Sequence, residues 1–453
     1  MSVTAWSDQD VRAALEGVYH QVIELTDAGR ALRRALHDTA AAPRQPVHIL
    51  AVGKAAPAMA QAAADWLRHK NVEPAQSLII GPGRSPSAAG FKVVTGDHPL
   101  PAAGSLEAAG AVALLVDQVA PGDTVWLLLS GGASSLMAGP VAGVSPADLT
   151  ILFDRLHSAG LDIHAVNAVR KRFLIWGAGR LAVALAPARC QAFVVSDVPG
   201  DTIASIGSGP VSPDDTTVGD VSRILDQAGL LDRLPDSLQA NIAGIQAGHV
   251  PETAKPGDPV FDNVTVTVVA SNRNAVIAAE AYGRSRGWTV HADGGFLAGE
   301  AREVGHALGV TLVDAAATQH YTPSLFVWGS ETVVTFDSPP TVPGGRCQEL
   351  ALAAARSLSA AKRGGPAIGL LAAGTDGRDG PTDAAGAIVT AGTWRAMQVA
   401  GADPGRALSG HASYQALSSA RALFVTGLTG TNVMDIVVGI VVPGDQGRKP
   451  AAG

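Results

Sequence analysis

Six segments of this 453-residue chain join glycine to hydroxyl, carboxylate or basic side chains. In "TVWLLLSGGASSLMAGP" an apolar run stops at Ser130. Gly131 and Gly132 then let the backbone approach a ligand, and successive N–H groups can form a nest for an anion. Ser130, Ser134 and Ser135 add hydroxyls, although a glycine pair alone also reads as a tight strand-to-helix turn. "AVGKAAPAM" places Lys54 at the start of a helix, where a cation joins the positive helix terminus and suits an anionic ligand. It is no Walker A loop, because the upstream glycine is missing and Ala55 stands where Ser or Thr is needed. In "VVSDVPGDTIASIGSGPVSPDD", Asp197 and Asp201 flank a Pro-Gly turn before Gly207, Ser208 and Gly209. Such carboxylates can hold Mg²⁺ on phosphate oxygens or simply cap turns. "VPGGRCQELAL" carries Arg346, whose fork suits carboxylate or phosphate. "LLAAGTDGRDGPTDAAGAIV" carries Thr375, Asp376, Asp379 and Asp383, a spacing unlike an EF-hand but open to metal binding or general-base work. "FVTGLTGTNVMDI" offers Thr426, Gly427, Thr429, Gly430, Thr431 and Asn432. Together the six point to an anionic, phosphorylated ligand held between two lobes.

Loops of this kind need strands to end on. The first part, "DVRAALEGVYHQVIELTDAGRALRRALHD", is helical, with Val11, Leu15, Val18, Val22 and Leu25 at three- and four-residue steps. After it, short apolar runs alternate with alanine-rich amphipathic segments, the mark of an α/β domain with a mainly parallel sheet. The proline-rich, charged stretch Gly248 to Asn263 reads as a linker or long crossing loop. The expectation is therefore two α/β domains, a Rossmann-like one over 1–250 and a second over 262–445, with the active site in the interdomain cleft. In the second, "SLFVWGSETVVTF" reads as a hairpin or strand pair, and "AIGLLAAG" and "ALFVTGLTG" as strands. Ligands of open α/β sheets sit at the carboxyl ends of strands, where these loops fall.

Composition excludes several classes. Hydrophobic residues make up 47% of the chain, enough for a sizeable core, and the 52 glycines show no collagen-like period. A net charge of -7 leaves no basic nucleic-acid footprint. Two cysteines are too few for a disulfide framework or a zinc site. The polar N-terminus has no signal core, and no apolar run reaches membrane-spanning length, so a soluble, cytoplasmic protein is expected. One competing signal is Gly177-x-Gly179-x-x-Ala182, with Asp197 about twenty residues on, which fits a dinucleotide fingerprint and a nicotinamide-dependent reductase. The preceding "AVNAVRKRFLIW" looks helical, whereas that fingerprint needs a strand.

Taken in order, "VGKAAPAM", "GDHPLPAAGSLEAA", "LLLSGGASSLM", "NAVRKRF", "GAGRLA", "IGSGPVSPDDTT", "PETAKPGD", "GGRCQELAL", "GTDGRDGPTDAAGA" and "TGLTGTNVMDI" resemble the glycerate 2-kinase family, whose C-terminal part is the MOFRL domain. The resemblance spans nearly the whole chain. It implies ATP-dependent, Mg²⁺-assisted phosphorylation of the 2-hydroxyl of D-glycerate to 2-phosphoglycerate. Glycerate and nucleotide would be the partners, with a homodimer left open. Lys54 and Arg346 match residues singled out in the family, and with Asp197 they form the implied catalytic set. Lys54 would neutralise the transferred phosphoryl group or the substrate carboxylate, and Arg346 would do the complementary job from the other lobe. Ser130, Gly131, Gly132, Ser134, Ser135, Ser208, Gly209, Thr375, Asp376, Thr429, Gly430, Thr431 and Asn432 are the implied substrate- and phosphate-binding positions, and Asp197 and Asp376 the metal ligands. Departures from the family pattern are Ala133 for a glycine, Trp176 for a lysine, Ser330 for a glycine, Cys347 and Met434 for asparagines, and His411-Ala412 for Asn-Asp. The Cβ of Ala133 is expected to narrow the nest. Hydroxypyruvate reduction, phosphorylation of a related hydroxy acid, and ligand binding without catalysis are the other readings.

Overall fold

The computed structural model describes residues 6–38, 46–83, 90–161, 163–292, 295–318, 322–336, 342–362 and 364–444. The chain divides into two compact units, Ala28–Ala270 and Met1–Asp27 with Ser271–Gly453. The sequence reading opens its first domain at residue 1, whereas the helix Asp8–Thr26 packs within the second of these units. There the Tyr19 hydroxyl donates to the Gly374 carbonyl at 2.8 Å.

The unit Ala28–Ala270 is built on six parallel strands: β1 (Val47–Val52), β2 (Gln76–Pro82), β3 (Lys92–Gly96), β4 (Thr124–Leu129), β5 (Arg189–Val195) and β6 (Val264–Ala270). Their order is β3-β2-β1-β4-β5-β6, that of doubly wound dinucleotide-binding sheets. The central strands "VHILAV" and "TVWLLL" are buried at every position. A parallel strand covered by helices on both faces has no polar side, so its sequence is continuously apolar. Helices Ala56–His69 and Ala103–Val116 supply part of that cover. In this order the chain turns opposite ways after β1 and β4, which leaves a crevice at their carboxyl ends.

Helices Pro146–Ser158, Ile163–Phe173, Val218–Gln227 and Asp236–Gln246 add a second core, with Phe153, Val169, Phe173 and Leu225 inside it. A buried charged network ties this region together. Lys171 Nζ lies 2.7 Å from Asp214, Arg172 lies 3.4 Å from Asp214 and pairs with Glu252, and Thr253 donates to Asp214 at 2.8 Å. Arg180 donates to the carbonyls of Lys171, Arg172 and Leu174. The motifs "NAVRKRF", "SPDDTT", "PETAKPGD" and "GAGRLA" thus meet in one scaffold. Removing one member of a buried pair strands the other charge. Asp214→Ala is therefore expected to cost about 3–5 kcal/mol in urea unfolding, and a loss below about 1 kcal/mol would show that the network carries little of the stability.

The second unit holds a mixed sheet. Its strands are β7 (Thr289–His291), β8 (Phe296–Leu297), β9 (Ser324–Ser330), β10 (Ala367–Gly374), β11 (Gly386–Thr390), β12 (Leu423–Phe424) and β13 (Asp435–Val442). The order is β12-β11-β10-β13-β9-β7, with β8 also on β9, and only the β7 and β8 pairings are parallel. The expected hairpin at 324–336 does not form. After β9 the chain makes a single isolated bridge, Val333 to Glu300, and the N–H groups of Glu331 and Val333 donate to the Leu297 and Gly299 carbonyls rather than to a returning strand. The strand expected in "ALFVTGLTG" shrinks to β12. The sequence reading assigns no strand to 435–442, yet β13, buried at all eight positions, is central. No helix among the described residues is long and apolar enough to cross a membrane.

Candidate active site

The loops after β1 and β4 meet at the crevice. The Lys54 N–H donates to the Gly131 carbonyl at 2.9 Å, and the Ala55 N–H donates to Ser130 Oγ at 3.1 Å. Gly53 sits at φ +125°, and a Cβ there would collide with Ser130. A Cβ on Gly131 would collide with the carboxylate of Asp197, which follows β5. The ring of His98 covers Gly132, at 3.2 to 3.5 Å from where a Cβ would lie. No described residue accepts the N–H of Gly131, Gly132, Ala133 or Ser134. These donors form the anion nest that the glycine pair predicts.

The serine hydroxyls do other work. Ser130 ties the two loops together, Ser135 donates to the Pro99 carbonyl at 2.7 Å, and Ser208 donates to Ser134 at 2.7 Å. The Cβ of Ala133 points away from the nest into the core beside Leu129 and the backbone of Gly207. The expected narrowing is absent for that reason.

Charge around the nest is mostly positive. Lys54 is exposed and makes no ion pair with a described residue. Arg170 is half-buried, its guanidinium 4.6 Å from the centre of the Phe153 ring, and its Nε has no hydrogen-bond partner among the described residues. Burial lowers the pKa of His98, and the charges of Lys54 and Arg170 lower it further. Burial raises that of Asp197, against the pull of Lys54. The sequence reading overlooks His98 and Arg170. The segment "GDHPLP" and the basic run before Phe173 were the available signals, but each is silent until the fold brings it to the nest.

In the second unit, Arg346 opens the helix Arg346–Leu358. Its Nε and Nη2 reach Asp435 at 2.6 and 2.9 Å, and Nη1 lies 2.6 Å from Glu331. Burial opposes its charge, but Asp435 and Glu331 outweigh burial and raise its pKa. Asp379 caps the same helix, accepting the N–H groups of Cys347 at 3.1 Å and Gln348 at 2.8 Å. Burial and the charge of Asp435 push its carboxyl up to about 7, against those N–H groups and Arg346.

Other sequence-predicted positions turn inward. Thr375 donates to the Met434 carbonyl at 2.6 Å, Thr429 to the Thr375 carbonyl at 2.5 Å, and Thr431 to the Thr26 carbonyl at 2.7 Å. Asn432 accepts the Met434 N–H, and Asp376 accepts that of Arg378. Gly430, at φ +80°, and Gly209, at φ +58°, shape their turns. Asp197 and Asp376 belong to different units, and the described residues contain no preformed group of three or more metal-ligating side chains. The dinucleotide fingerprint fails locally. Gly177 and Gly179 follow a helix rather than a strand, and the Gly179 Cα faces Phe261 and the Ser212 carbonyl, so protein atoms fill the space a pyrophosphate would need.

Comparison with known proteins gives the family. Residues 14–243 match a domain of unknown function, DUF4147, and residues 324–435 match the MOFRL family. The chain is 35% identical to the D-glycerate 2-kinase of Thermotoga maritima, over 87% of this chain and 91% of that protein. It is 35% identical to the glycerate 2-kinase of Pyrococcus horikoshii, over 87% of each. The crystal structure of a glycerate kinase from Thermotoga maritima superposes with a TM-score of 0.84 at 32% identity, covering 96% of this chain and all of that one. The chain belongs to the glycerate 2-kinase family. Within this family member, the nest and Arg346 fall inside the two matched segments.

Two outcomes test the geometry. Gly131→Ala is expected to displace Asp197 and cost about 1–3 kcal/mol in urea unfolding. A variant as stable as the parent would show that loop and carboxylate separate freely. Because the folded state holds the Asp379 proton to about pH 7, above the ordinary aspartate value near 3.9, the stability tied to it falls as pH rises from about 4 to about 7 and levels off above. The stability difference between parent and Asp379→Ala should shrink over that window, and a pH-independent difference would refute the assignment.

Proposed function

We propose that this protein transfers the γ-phosphoryl group of ATP to the 2-hydroxyl of D-glycerate, giving 2-phosphoglycerate. The observation that carries this reading is the nest of N–H groups at Gly131–Ser134, unaccepted by any described residue, with Lys54, His98 and Asp197 beside it at the carboxyl ends of β1, β4 and β5, and Arg170 near enough to act on His98. Phosphoryl transfer asks a protein mainly for positioning and charge stabilisation. The nest and Lys54 offer donors and a mobile cation to a phosphoryl group or to the glycerate carboxylate. His98, whose pKa burial lowers and the charges of Lys54 and Arg170 lower further, can exchange a proton or orient a hydroxyl. Asp197 is a hard oxygen donor beside phosphate-binding N–H groups and fits Mg²⁺, which binds through one or two carboxylates plus substrate phosphates. When bound, Mg²⁺ would neutralise charge on the phosphate oxygens. Arg346, locked by Asp435 and Glu331, offers its remaining N–H donors in fixed directions.

The two cysteines, both buried and free, suit the reducing cytoplasm. The test is ADP release from ATP-Mg²⁺ and D-glycerate. No ADP with glycerate would overturn the acceptor. Lys54→Ala is expected to lower kcat by about a hundredfold or more at an unchanged melting temperature, since Lys54 is exposed. Parental turnover in that variant would remove Lys54 from the mechanism.

A further inference from the structure

The second unit contains a cavity of about 610 Å³, walled by Val333, Phe336, Arg346, Glu349, Asp379 and His411 among others. Its size, charge and texture do not suit a three-carbon acid. Pockets of roughly 300–1,000 Å³ take ligands of drug size, whereas glycerate has only seven non-hydrogen atoms. Two cations line this wall, the part-buried Arg346, already matched by Asp435 and Glu331, and the exposed Arg378. Glu349, Asp376 and Asp379 set three carboxyl groups beside them, so a small anion gains little here. Apolar surface, by contrast, is offered openly: Val333 is 53% and Phe336 44% exposed.

A polar dyad stands beside that surface. His411 Nδ1 lies 2.9 Å from Glu349 Oε2, and the imidazole meets the Phe336 ring edge-to-face at 5.0 Å. Glu349 is 1% exposed, and its Oε1 has no hydrogen-bond partner among the described residues. A carboxylate at Nδ1 draws the ring proton there and leaves Nε2 as an acceptor. His411 also holds a left-handed backbone at φ +55°, a conformation few side chains adopt. An exposed aromatic ring beside a fixed acceptor fits a flat heteroaromatic group that carries N–H donors.

We infer that this cavity receives the nucleoside end of ATP, with the base against Phe336 and Val333 and an N–H of the base donating to His411 Nε2. Glu349 is then a positioning residue that sets the tautomer. The inference rests on the kinase reading for its choice of ligand, and adenosine, which carries no phosphoryl group to transfer, separates the two.

Calorimetric titration of the full-length protein with adenosine should show saturable binding. His411→Ala and Phe336→Ala should each weaken it about tenfold or more, and Lys54→Ala should leave it unchanged. Glu349→Gln, whose amide oxygen still accepts the Nδ1 proton, should keep most of the affinity that Glu349→Ala loses. In steady state, His411→Ala should raise the KM for ATP and leave the KM for D-glycerate in place. If His411→Ala does not fold, His411→Asn serves, since asparagine tolerates the left-handed backbone. No adenosine binding by the parent overturns the inference. So does unchanged affinity in the His411 and Phe336 variants, or a rise confined to the KM for D-glycerate. Weakened adenosine binding without any ADP formed from glycerate would support the nucleoside site and sink the acceptor. Normal ADP formation with unchanged adenosine affinity would do the reverse.

Discussion

At the carboxyl ends of β1 and β4 two loops pass so closely that Gly53 has no room for a Cβ beside Ser130. That contact sets the chemistry of the first unit. It spends the Ser130 hydroxyl on joining the loops and leaves the next N–H groups without an acceptor among the described residues. It also brings the Asp197 carboxylate against the backbone of Gly131 and the His98 ring against Gly132. A loop rich in hydroxyls would be expected to meet a ligand with them. Here they hold the loop in shape, and the backbone offers the donors. Fixed N–H groups have the advantage that no side-chain torsion is lost when an anion binds.

Charge is divided unequally. Among the described residues, the first unit leaves Lys54 without an ion pair and Arg170 Nε without a hydrogen-bond partner, and it places buried pairs in the Lys171–Arg172–Asp214 scaffold and at His48–Asp123. Buried pairs add little net stability but cost much when broken, so a scaffold of this kind fixes geometry more than it deepens the energy well. The second unit does the opposite. Its principal cation, Arg346, is held by two carboxylates, Asp435 and Glu331, on a wall that also carries Arg378, Glu349, Asp376 and Asp379. Under the proposed function, anion recognition falls chiefly to the first unit, while the second offers an apolar and hydrogen-bonding surface.

Much of this was legible in the sequence. The parallel sheet shows in the continuous apolar runs of β1 and β4, which only double-sided cover explains. The glycine pair after β4 and the lysine after β1 were visible as loops that the fold brings together. The misses have physical causes. β13 follows a run of turn residues, and its pairing with β9 and β10 spans many residues, beyond any local pattern. The hairpin expected at 324–336 fails because the chain after β9 keeps its backbone bonds to the segment 297–301, far off in sequence, instead of folding back on itself. The threonines at 375, 429 and 431 look like phosphate ligands by type, but a hydroxyl near an unpaired carbonyl serves the backbone first. His98 and Arg170 are the converse: ordinary by type, and placed at the nest only by long-range folding.

The departures from the family pattern sort by what their side chains can reach. Ala133 fills core, Trp176 donates to the Ala109 carbonyl, and Cys347 contributes its backbone N–H to Asp379. Met434 acts through its carbonyl and a left-handed backbone, and Ala412 occupies the N-cap of a short helix without a capping bond. Ser330 is buried at the end of β9 opposite Asp435. At these positions the work falls to the backbone, to packing or, for Trp176, to a single buried indole hydrogen bond. His411 differs, because its imidazole joins a buried carboxylate to an exposed aromatic ring on a cavity wall. No departure changes the backbone donors of the nest. The replacements therefore leave the anion-binding geometry of the first unit intact and concentrate new side-chain chemistry at one point in the second.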